Sequence, residues 1–220
     1  NEPTATAGKE ADRTSRRKDQ WLYLATDYQR KNSHTDNIGY DKLMELLGEC
    51  SSKRILDYGC GSGNIAKAVA AKGARVVGID ISKEAIKAAE AKEIFGASFS
   101  TTVDYETRPN FYDVAMLNFV VCCVEDNREV QNIFSRIYHQ LKPGGQLLIL
   151  ESYPDSHLHN YVSMKRTAVG NLQEGTKVKV NLTCMESTFY DYWRSADFYL
   201  SSLSKVGFSS VDKFYPLASG

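Results

Sequence analysis

The sequence lacks the features that mark secreted, membrane-spanning or zinc-binding proteins. It contains no run of about 18 apolar residues and starts with a polar stretch, so neither a transmembrane helix nor a secretion signal is predicted. Its five cysteines are odd in number and form no CxxC pair or histidine spacing, which argues against a disulfide framework and a metal site. These absences favour a reducing, cytoplasmic environment.

An excess of charge of one sign is also missing. The 27 lysines and arginines balance the 27 aspartates and glutamates. Proteins that bind nucleic acid or anionic membranes use surplus basic residues to hold phosphate groups, so neither partner is expected here. A small-molecule substrate is favoured instead. The length of 220 residues suits one domain with one hydrophobic core, and a homodimer is left open.

The pattern along the chain divides it into an arm and a single domain. Residues 1–18 are polar and carry too little apolar surface to become ordered alone, so we expect a flexible N-terminal arm. Residues 19–220 are expected to form the domain, in which short β-rich segments alternate with amphipathic helices from residue 55 to residue 150. The helix at 127–141 has the clearest pattern. Alternation of this kind is typical of a parallel sheet with crossover helices.

The last third of the chain has a different pattern. Strands predicted at 178–187 and 211–215 flank a predicted helix at 195–206, which favours an antiparallel edge on the sheet. Residues 152–176 contain two histidines and no strong strand pattern. Because a segment of that length inside a compact domain is more often functional than idle, we expect a functional insertion here.

A glycine-rich loop follows the first predicted strand, in residues 55–63 (ILDYGCGSG). Gly59 and Gly61 have no Cβ atom, so a ligand can approach their backbone, and free amides at the start of the next helix point toward it. A dinucleotide fingerprint needs a third glycine where Asn64 stands. Asp57 would also repel a pyrophosphate. The loop therefore disfavours a dinucleotide.

The next predicted strand ends at Asp80, 23 residues after Asp57. An acidic residue at this separation can accept two hydrogen bonds from a ribose diol. Asp57 lies where a carboxylate can face an ammonium group. The two residues together indicate a ligand that carries both a ribose and a positive charge.

These segments resemble the motifs of class I S-adenosylmethionine-dependent methyltransferases. The matching segments are residues 55–63, 77–82 (VGIDIS), 104–106, 112–118 and 141–147 (LKPGGQL). The resemblance is firm over residues 40–151, and a weaker one at 189–193 (FYDYW) is to small-molecule enzymes of bacterial secondary metabolism. It implies a Rossmann-like, seven-stranded mixed sheet of order 3-2-1-4-5-7-6, with helices on both faces and an N-terminal helical lid.

The resemblance also implies S-adenosylmethionine as the cofactor and S-adenosylhomocysteine as its product. Asp57 and the glycine loop would hold the methionine part, Asp80 the ribose, and Asp104 the adenine amino group. The cofactor-binding residues that it implies are Asp57, Gly59, Cys60, Gly61, Asp80, Ile81, Asp104, Tyr105, Asn118 and Phe119.

Methyl transfer requires alignment of an acceptor with the methyl group and, for some acceptors, removal of a proton. The segment at 119–124 (FVVCCV) offers no base of ordinary pKa, and we expect its cysteines to be buried apolar residues. The candidate bases are therefore His157 and His159. They lie near the start of residues 152–176, which the resemblance implies to be a substrate lid. The aromatic residues expected to contact a planar acceptor are Tyr28, Tyr190, Tyr192 and Trp193.

Three functions are compatible with these motifs to different degrees. The first is methyl transfer to a nitrogen or oxygen atom of a small molecule. The same motifs would serve a sensor or partner subunit that binds S-adenosylmethionine without catalysis, which is the alternative. A nicotinamide-dependent oxidoreductase ranks below both, because the third glycine is missing.

Overall fold

The computed structural model describes residues 34–152, 154–155, 164–168, 170–182 and 187–215. Several sequence predictions lie outside these residues: the N-terminal arm at 1–18, Tyr28, His157 and His159. Within the described part of the chain, no helix is long and apolar enough to cross a membrane.

A parallel sheet of five strands forms the centre of the domain. Its spatial order is β3-β2-β1-β4-β5. Its strands are β1 (Arg54–Tyr58), β2 (Arg75–Asp80), β3 (Ala97–Thr101), β4 (Tyr112–Asn118) and β5 (Leu141–Leu150). Every neighbouring pair is parallel, which confirms the predicted α/β architecture. The carboxyl ends of these strands therefore meet at one edge, which is where ligands bind in sheets of this kind.

Helices cover both faces of this sheet. They are α1 (His34–Leu47), α2 (Asn64–Ala70), α3 (Lys83–Glu90), α4 (Asn127–Gln140) and α5 (Ala196–Val206). The predicted helix at 127–141 is confirmed: Asp126 caps it by accepting a hydrogen bond of 2.8 Å from the amide of Arg128. It ends where β5 begins, so the chain passes from helix to strand without a loop.

The alternation of side chains along the central strands builds two cores. On β4, Val114 and Met116 pack in the core that contains Leu43 and Leu47 of α1. Ala115 and Leu117 point to the opposite face and pack in the core of α4 and α5. Because successive residues of a strand face opposite sides, an apolar run is expected wherever both faces are covered.

A second, antiparallel sheet contains the remaining strands. Its order is β6-β7-β8, with β6 (Met164–Ala168), β7 (Thr176–Leu182) and β8 (Ser187–Trp193). Among the described residues these strands pair only with one another, so the seven-stranded order with a 7-6 edge is not confirmed. The N-terminal helical lid is not confirmed either.

One local prediction in this region is wrong. Residues 211–215 do not form a strand, and Val211, Phe214 and Tyr215 are exposed. Strand β6 lies within residues 152–176, which show no strong strand pattern in the sequence. The inward-facing residue of β6 is Arg166, which is 7% exposed, so the strand lacks the apolar alternation that reveals a strand in a sequence.

Candidate functional site

The loop after β1 passes close to the loop after β4. The amides of Gly59 and Cys60 both donate to the carbonyl of Ile79, at 2.7 and 3.0 Å, which fixes the turn against the end of β2. A Cβ atom at Gly59 would overlap Cγ2 of Val120. Only glycine therefore allows the two loops to approach this closely.

The same loop is open on its other side, at Gly61. This residue has a φ of 52°, and a Cβ atom built there would meet nothing within 4 Å. The backbone at Gly61 is therefore accessible to a ligand. Gly59 and Gly61 thus have different roles, since the first allows protein packing and the second borders open space.

Asp57 lies buried at the end of β1 with part of its hydrogen-bonding capacity unused. Its side chain is 1% exposed, and its Oδ2 atom has no hydrogen-bond partner among the residues that the structure describes. Burial raises the pKa of Asp57 to about 7, and the nearby Asp80 carboxylate acts in the same direction. A buried carboxylate oxygen without a donor is costly, so this atom suits a ligand that brings a donor or a positive charge.

Asp80 is held in place by the backbone around it. Its Oδ2 accepts from the amide of Gly61 and its Oδ1 from the amide of Ser82, each at 2.9 Å. Burial raises the pKa of Asp80, and these amide hydrogen bonds oppose that shift. A carboxylate has about four acceptor positions, so Asp80 can still accept hydrogen bonds from ligand hydroxyls.

The end of β4 supplies a third polar group without a partner. Both side-chain atoms of Asn118, Oδ1 and Nδ2, are buried and make no hydrogen bond within the described part of the chain. The next residue, Phe119, has a φ of 54°, which is rare for a residue with a side chain. Its ring contacts Tyr40 of α1 edge to face, with ring centroids 6.2 Å apart. Strained residues beside unpaired polar groups are common at binding sites.

Two of the residues predicted to contact adenine are engaged within the protein. The exposed Asp104 accepts a short hydrogen bond from the hydroxyl of Thr101. The hydroxyl of Tyr105 lies 2.7 Å from that of Tyr112 and donates to Gln140 at 2.5 Å. The polar end of Tyr105 is therefore directed at α4. Neither sequence spacing nor residue type could show that direction.

A pocket lies between the loop after β4, the end of β5 and the second sheet. It is small and opens to solvent. Its lining includes Cys122, Glu151, Arg166, Tyr192, Trp193 and Tyr199. Tyr192 and Trp193 were predicted to contact an acceptor, and both line this pocket. Tyr190 is not among the lining residues, and its ring lies 4.2 Å from the Lys177 ammonium.

Glu151 connects this pocket to the loop after β4, a role that the sequence reasoning missed. Its Oε1 accepts from the amide of Val121 at 2.6 Å and its Oε2 from the amide of Cys122 at 3.3 Å. Burial raises the pKa of Glu151 to about 7, and the hydrogen bonds from Cys122 and Val121 oppose that shift. Val121 follows Val120, whose side chain leaves no room for a Cβ atom at Gly59, so the loop beside the pocket also packs on the glycine loop.

Arg194, which follows β8, links the second sheet to the loop after β4 through hydrogen bonds. Its guanidinium donates to the carbonyls of Val121 and Val124, at 3.0 and 2.6 Å, and to Oδ1 of Asn127 at 2.9 Å. Since a guanidinium has five donors in a fixed plane, one side chain can fix several loop carbonyls. The arrangement holds the pocket rigidly beside the end of β4.

Comparison with known proteins gives a consistent result. Residues 24–203 match the family described as methyltransferase domain. The chain is 32% identical over 126 residues to ubiquinone biosynthesis O-methyltransferase from Nitrosomonas europaea, covering 52% of this chain and 51% of that protein. It is 28% identical over 186 residues to the protein of the same name from Alkalilimnicola ehrlichii, covering 80% and 73%. The chain spans about half the length of most of the curated relatives it matches.

A solved structure shares the fold. The crystal structure of an S-adenosylmethionine-dependent methyltransferase from Mesorhizobium loti superposes with a TM-score of 0.61 at 20% identity. The match covers 82% of this chain and 86% of that one. At this identity the likeness shows the Rossmann-like fold and nothing about the substrate.

Proposed function

The chain belongs to the methyltransferase domain family, and from that membership we propose that it transfers a methyl group from S-adenosylmethionine to a small-molecule acceptor. The observation that carries the proposal is the set of buried polar atoms without partners at the ends of β1 and β4. These atoms are Oδ2 of Asp57 and both amide atoms of Asn118. Native proteins rarely leave such atoms unpaired, so a polar ligand is the simplest reason for them.

The groups present fit S-adenosylmethionine. This cofactor carries an ammonium and a sulfonium, which Asp57 can neutralise, and a ribose diol, which the fixed carboxylate of Asp80 can bind. The open space at Gly61 lets the ligand lie against the backbone. Cys60, Ile81, Asp104, Tyr105 and Phe119 complete the proposed set of cofactor contacts.

When bound, the cofactor supplies a methyl group that is already activated by the sulfonium, so the protein needs no nucleophile of its own. Its task is to hold the acceptor in line with the methyl group and to exclude water, and alignment alone is worth up to about 7 to 11 kcal/mol. We assign acceptor binding to the pocket lined by Tyr192 and Trp193, with Tyr28 and Tyr190 as further aromatic candidates. The O-methyltransferase names of the relatives favour an oxygen acceptor over nitrogen.

Removal of the acceptor proton is assigned to His157 or His159. A neutral imidazole near the acceptor can take the proton as the carbon–sulfur bond breaks, and such assistance contributes about 10²- to 10⁴-fold. Replacing each histidine by alanine should then lower kcat in one variant while S-adenosylhomocysteine affinity stays unchanged. Full kcat in both variants would contradict the assignment and would indicate an acceptor that needs no deprotonation.

Calorimetry followed by a turnover assay tests the proposal as a whole. We expect binding of S-adenosylmethionine and S-adenosylhomocysteine but not of NAD. Turnover is then measured with a panel of phenols, amines and carboxylic acids. Binding of NAD alone would overturn the proposal in favour of an oxidoreductase. Cofactor binding without turnover of any acceptor class would favour a non-catalytic binding protein.

A further inference from the structure

Two thiols and a carboxylate lie together behind the pocket. Cys122 and Cys123 belong to a short 3-10 helix (Val121–Cys123) after β4, and Asp191 lies on β8. All three side chains are buried, at 6%, 8% and 3% exposure. One potential ligand atom from each lies within 4.8 Å of the others, and the two sulfur atoms are 3.7 Å apart.

The spacing of the two sulfur atoms matches that of thiolates on a single zinc ion. Zinc–sulfur bonds of about 2.3 Å at a tetrahedral angle place two sulfurs about 3.8 Å apart. Side chains of adjacent residues often diverge, but here the two sulfur atoms stay in contact, while the Cys123 thiol also donates to the carbonyl of Phe119 at 3.1 Å. A small inward movement of the carboxylate would complete three ligands.

Arg166 is placed to support such a site. Its Nη2 lies 2.6 Å from Oδ2 of Asp191, and both side chains are buried. A metal-binding carboxylate is commonly oriented by a hydrogen bond to its second oxygen. Arg166 also balances the charge, because two thiolates and one carboxylate carry one negative charge more than a divalent ion neutralises.

We propose that Cys122, Cys123 and Asp191 form a zinc site that joins the loop after β4 to the second sheet. Binding displaces one proton from each thiol, and the two sulfur–metal bonds replace the sulfur–hydrogen bonds with no change in oxidation state. Three protein ligands leave one tetrahedral position open, as in zinc sites that bind water or substrate. Cys122 also lines the pocket, so the fourth ligand can come from there.

This proposal departs from the expectation, based on sequence spacing, that no metal site is present. Zinc motifs are read from ligands at short fixed intervals, whereas Asp191 is remote from the cysteines in sequence. It reaches them only because β8 pairs with β7 and the second sheet packs on the loop after β4. The proposal does not depend on methyl transfer.

Cobalt titration of the reduced, chelator-treated full chain tests it. Cobalt(II) replaces zinc in such sites, and we expect one equivalent to bind with a thiolate-to-cobalt charge-transfer absorption that added zinc abolishes. Cys122→Ala and Cys123→Ala should each lose affinity by more than the roughly 10- to 100-fold typical of losing a partner outside the ligand shell. Cys50→Ala is the matched control: Cys50 is buried and free but lies in the core beside α1, so its loss should leave binding unchanged.

Two results would overturn the site. One is cobalt binding without a charge-transfer band, and the other is a band that persists in both cysteine variants. X-ray absorption on the zinc-loaded wild-type chain covers the case in which an alanine variant fails to fold. It should report two sulfur atoms at about 2.3 Å. A shell of nitrogen and oxygen alone would place the ion elsewhere.

Discussion

Two buried aspartates, one on each sheet, show how differently the two halves of the site are built. Asp57 on β1 has an oxygen without a partner, and burial raises its pKa to about 7. Asp191 on β8 forms an ion pair of 2.6 Å with Arg166, and burial still raises its pKa to about 6 although Arg166 lowers it. The parallel sheet thus leaves a buried aspartate oxygen to be satisfied by a ligand, whereas the second sheet pairs its buried aspartate with an arginine of the same sheet.

The two kinds of buried polar group contribute to different properties of the protein, namely stability and ligand binding. A buried polar group with a protein partner stabilises one arrangement of the chain, and losing that partner exposes its full desolvation cost. A buried polar group without a partner destabilises the free protein by its desolvation free energy, and a ligand that supplies a hydrogen bond offsets this destabilisation. Substitutions at the two aspartates or their neighbours should therefore differ in what they weaken, namely stability for the second sheet and ligand affinity for the first.

The largest effect is expected from breaking the ion pair of the second sheet. Arg166→Ala leaves Asp191 buried and unpaired, which should lower the free energy of unfolding by about 3 to 5 kcal/mol. Urea denaturation in the presence of a chelator measures this. Lys165→Ala, at the exposed neighbouring position of β6, is the control and should change stability by less than about 0.5 kcal/mol. Equal losses in both variants would mean that the pair does not hold the sheet.

The next effect concerns ligand affinity. Asp80→Ala removes a fixed carboxylate that is proposed to bind the ribose, at about 1.5 to 3 kcal/mol for each hydrogen bond to a charged group. The dissociation constant of S-adenosylhomocysteine should therefore rise at least about tenfold. The control is Asp41→Ala, because Asp41 is exposed on α1. An unchanged dissociation constant in folded Asp80→Ala would show that the cofactor lies elsewhere.

The sequence predicted the first half of the site better than the second. Asp57, the glycines and Asp80 lie in continuous strand–loop segments, so local pattern alone places them at one edge of the sheet. Glu151 and Arg194 act by holding loop backbone atoms, and such contacts leave no mark in a sequence. Strand β6 was missed for a related reason, since its inward residue is the arginine that pairs with Asp191.

A smaller effect is expected from Asp57→Asn, which should stabilise the free protein but weaken cofactor binding. The folded-state pKa of about 7 lies above the ordinary value of 3.8, so the folded protein holds an extra proton between those values. The contribution of Asp57 to the free energy of unfolding therefore declines as the pH rises from about 4 to 7. At pH 8 the neutral amide should stabilise the free protein by about 1 to 3 kcal/mol. At pH 5, where only part of this decline has occurred, the variant should gain less than at pH 8, and equal gains at both pH values would contradict this origin.

The smallest effect is the pH dependence of cofactor binding, which depends on the ionisation of Asp57. The cationic methionine part of S-adenosylmethionine should bind the ionised form of Asp57, which the free protein populates only above a pKa of about 7. One pH unit below that value about a tenth of the molecules are competent, so affinity at pH 6 should be roughly tenfold lower than at pH 8, or about 1.4 kcal/mol. Calorimetric titrations at both pH values measure this, with release of a proton on binding near pH 6. Asp57→Asn should bind more weakly at pH 8 and show a flat profile over this range. If the wild-type profile is flat as well, the carboxylate of Asp57 does not face the charge of the cofactor, and its missing partner must be a neutral donor.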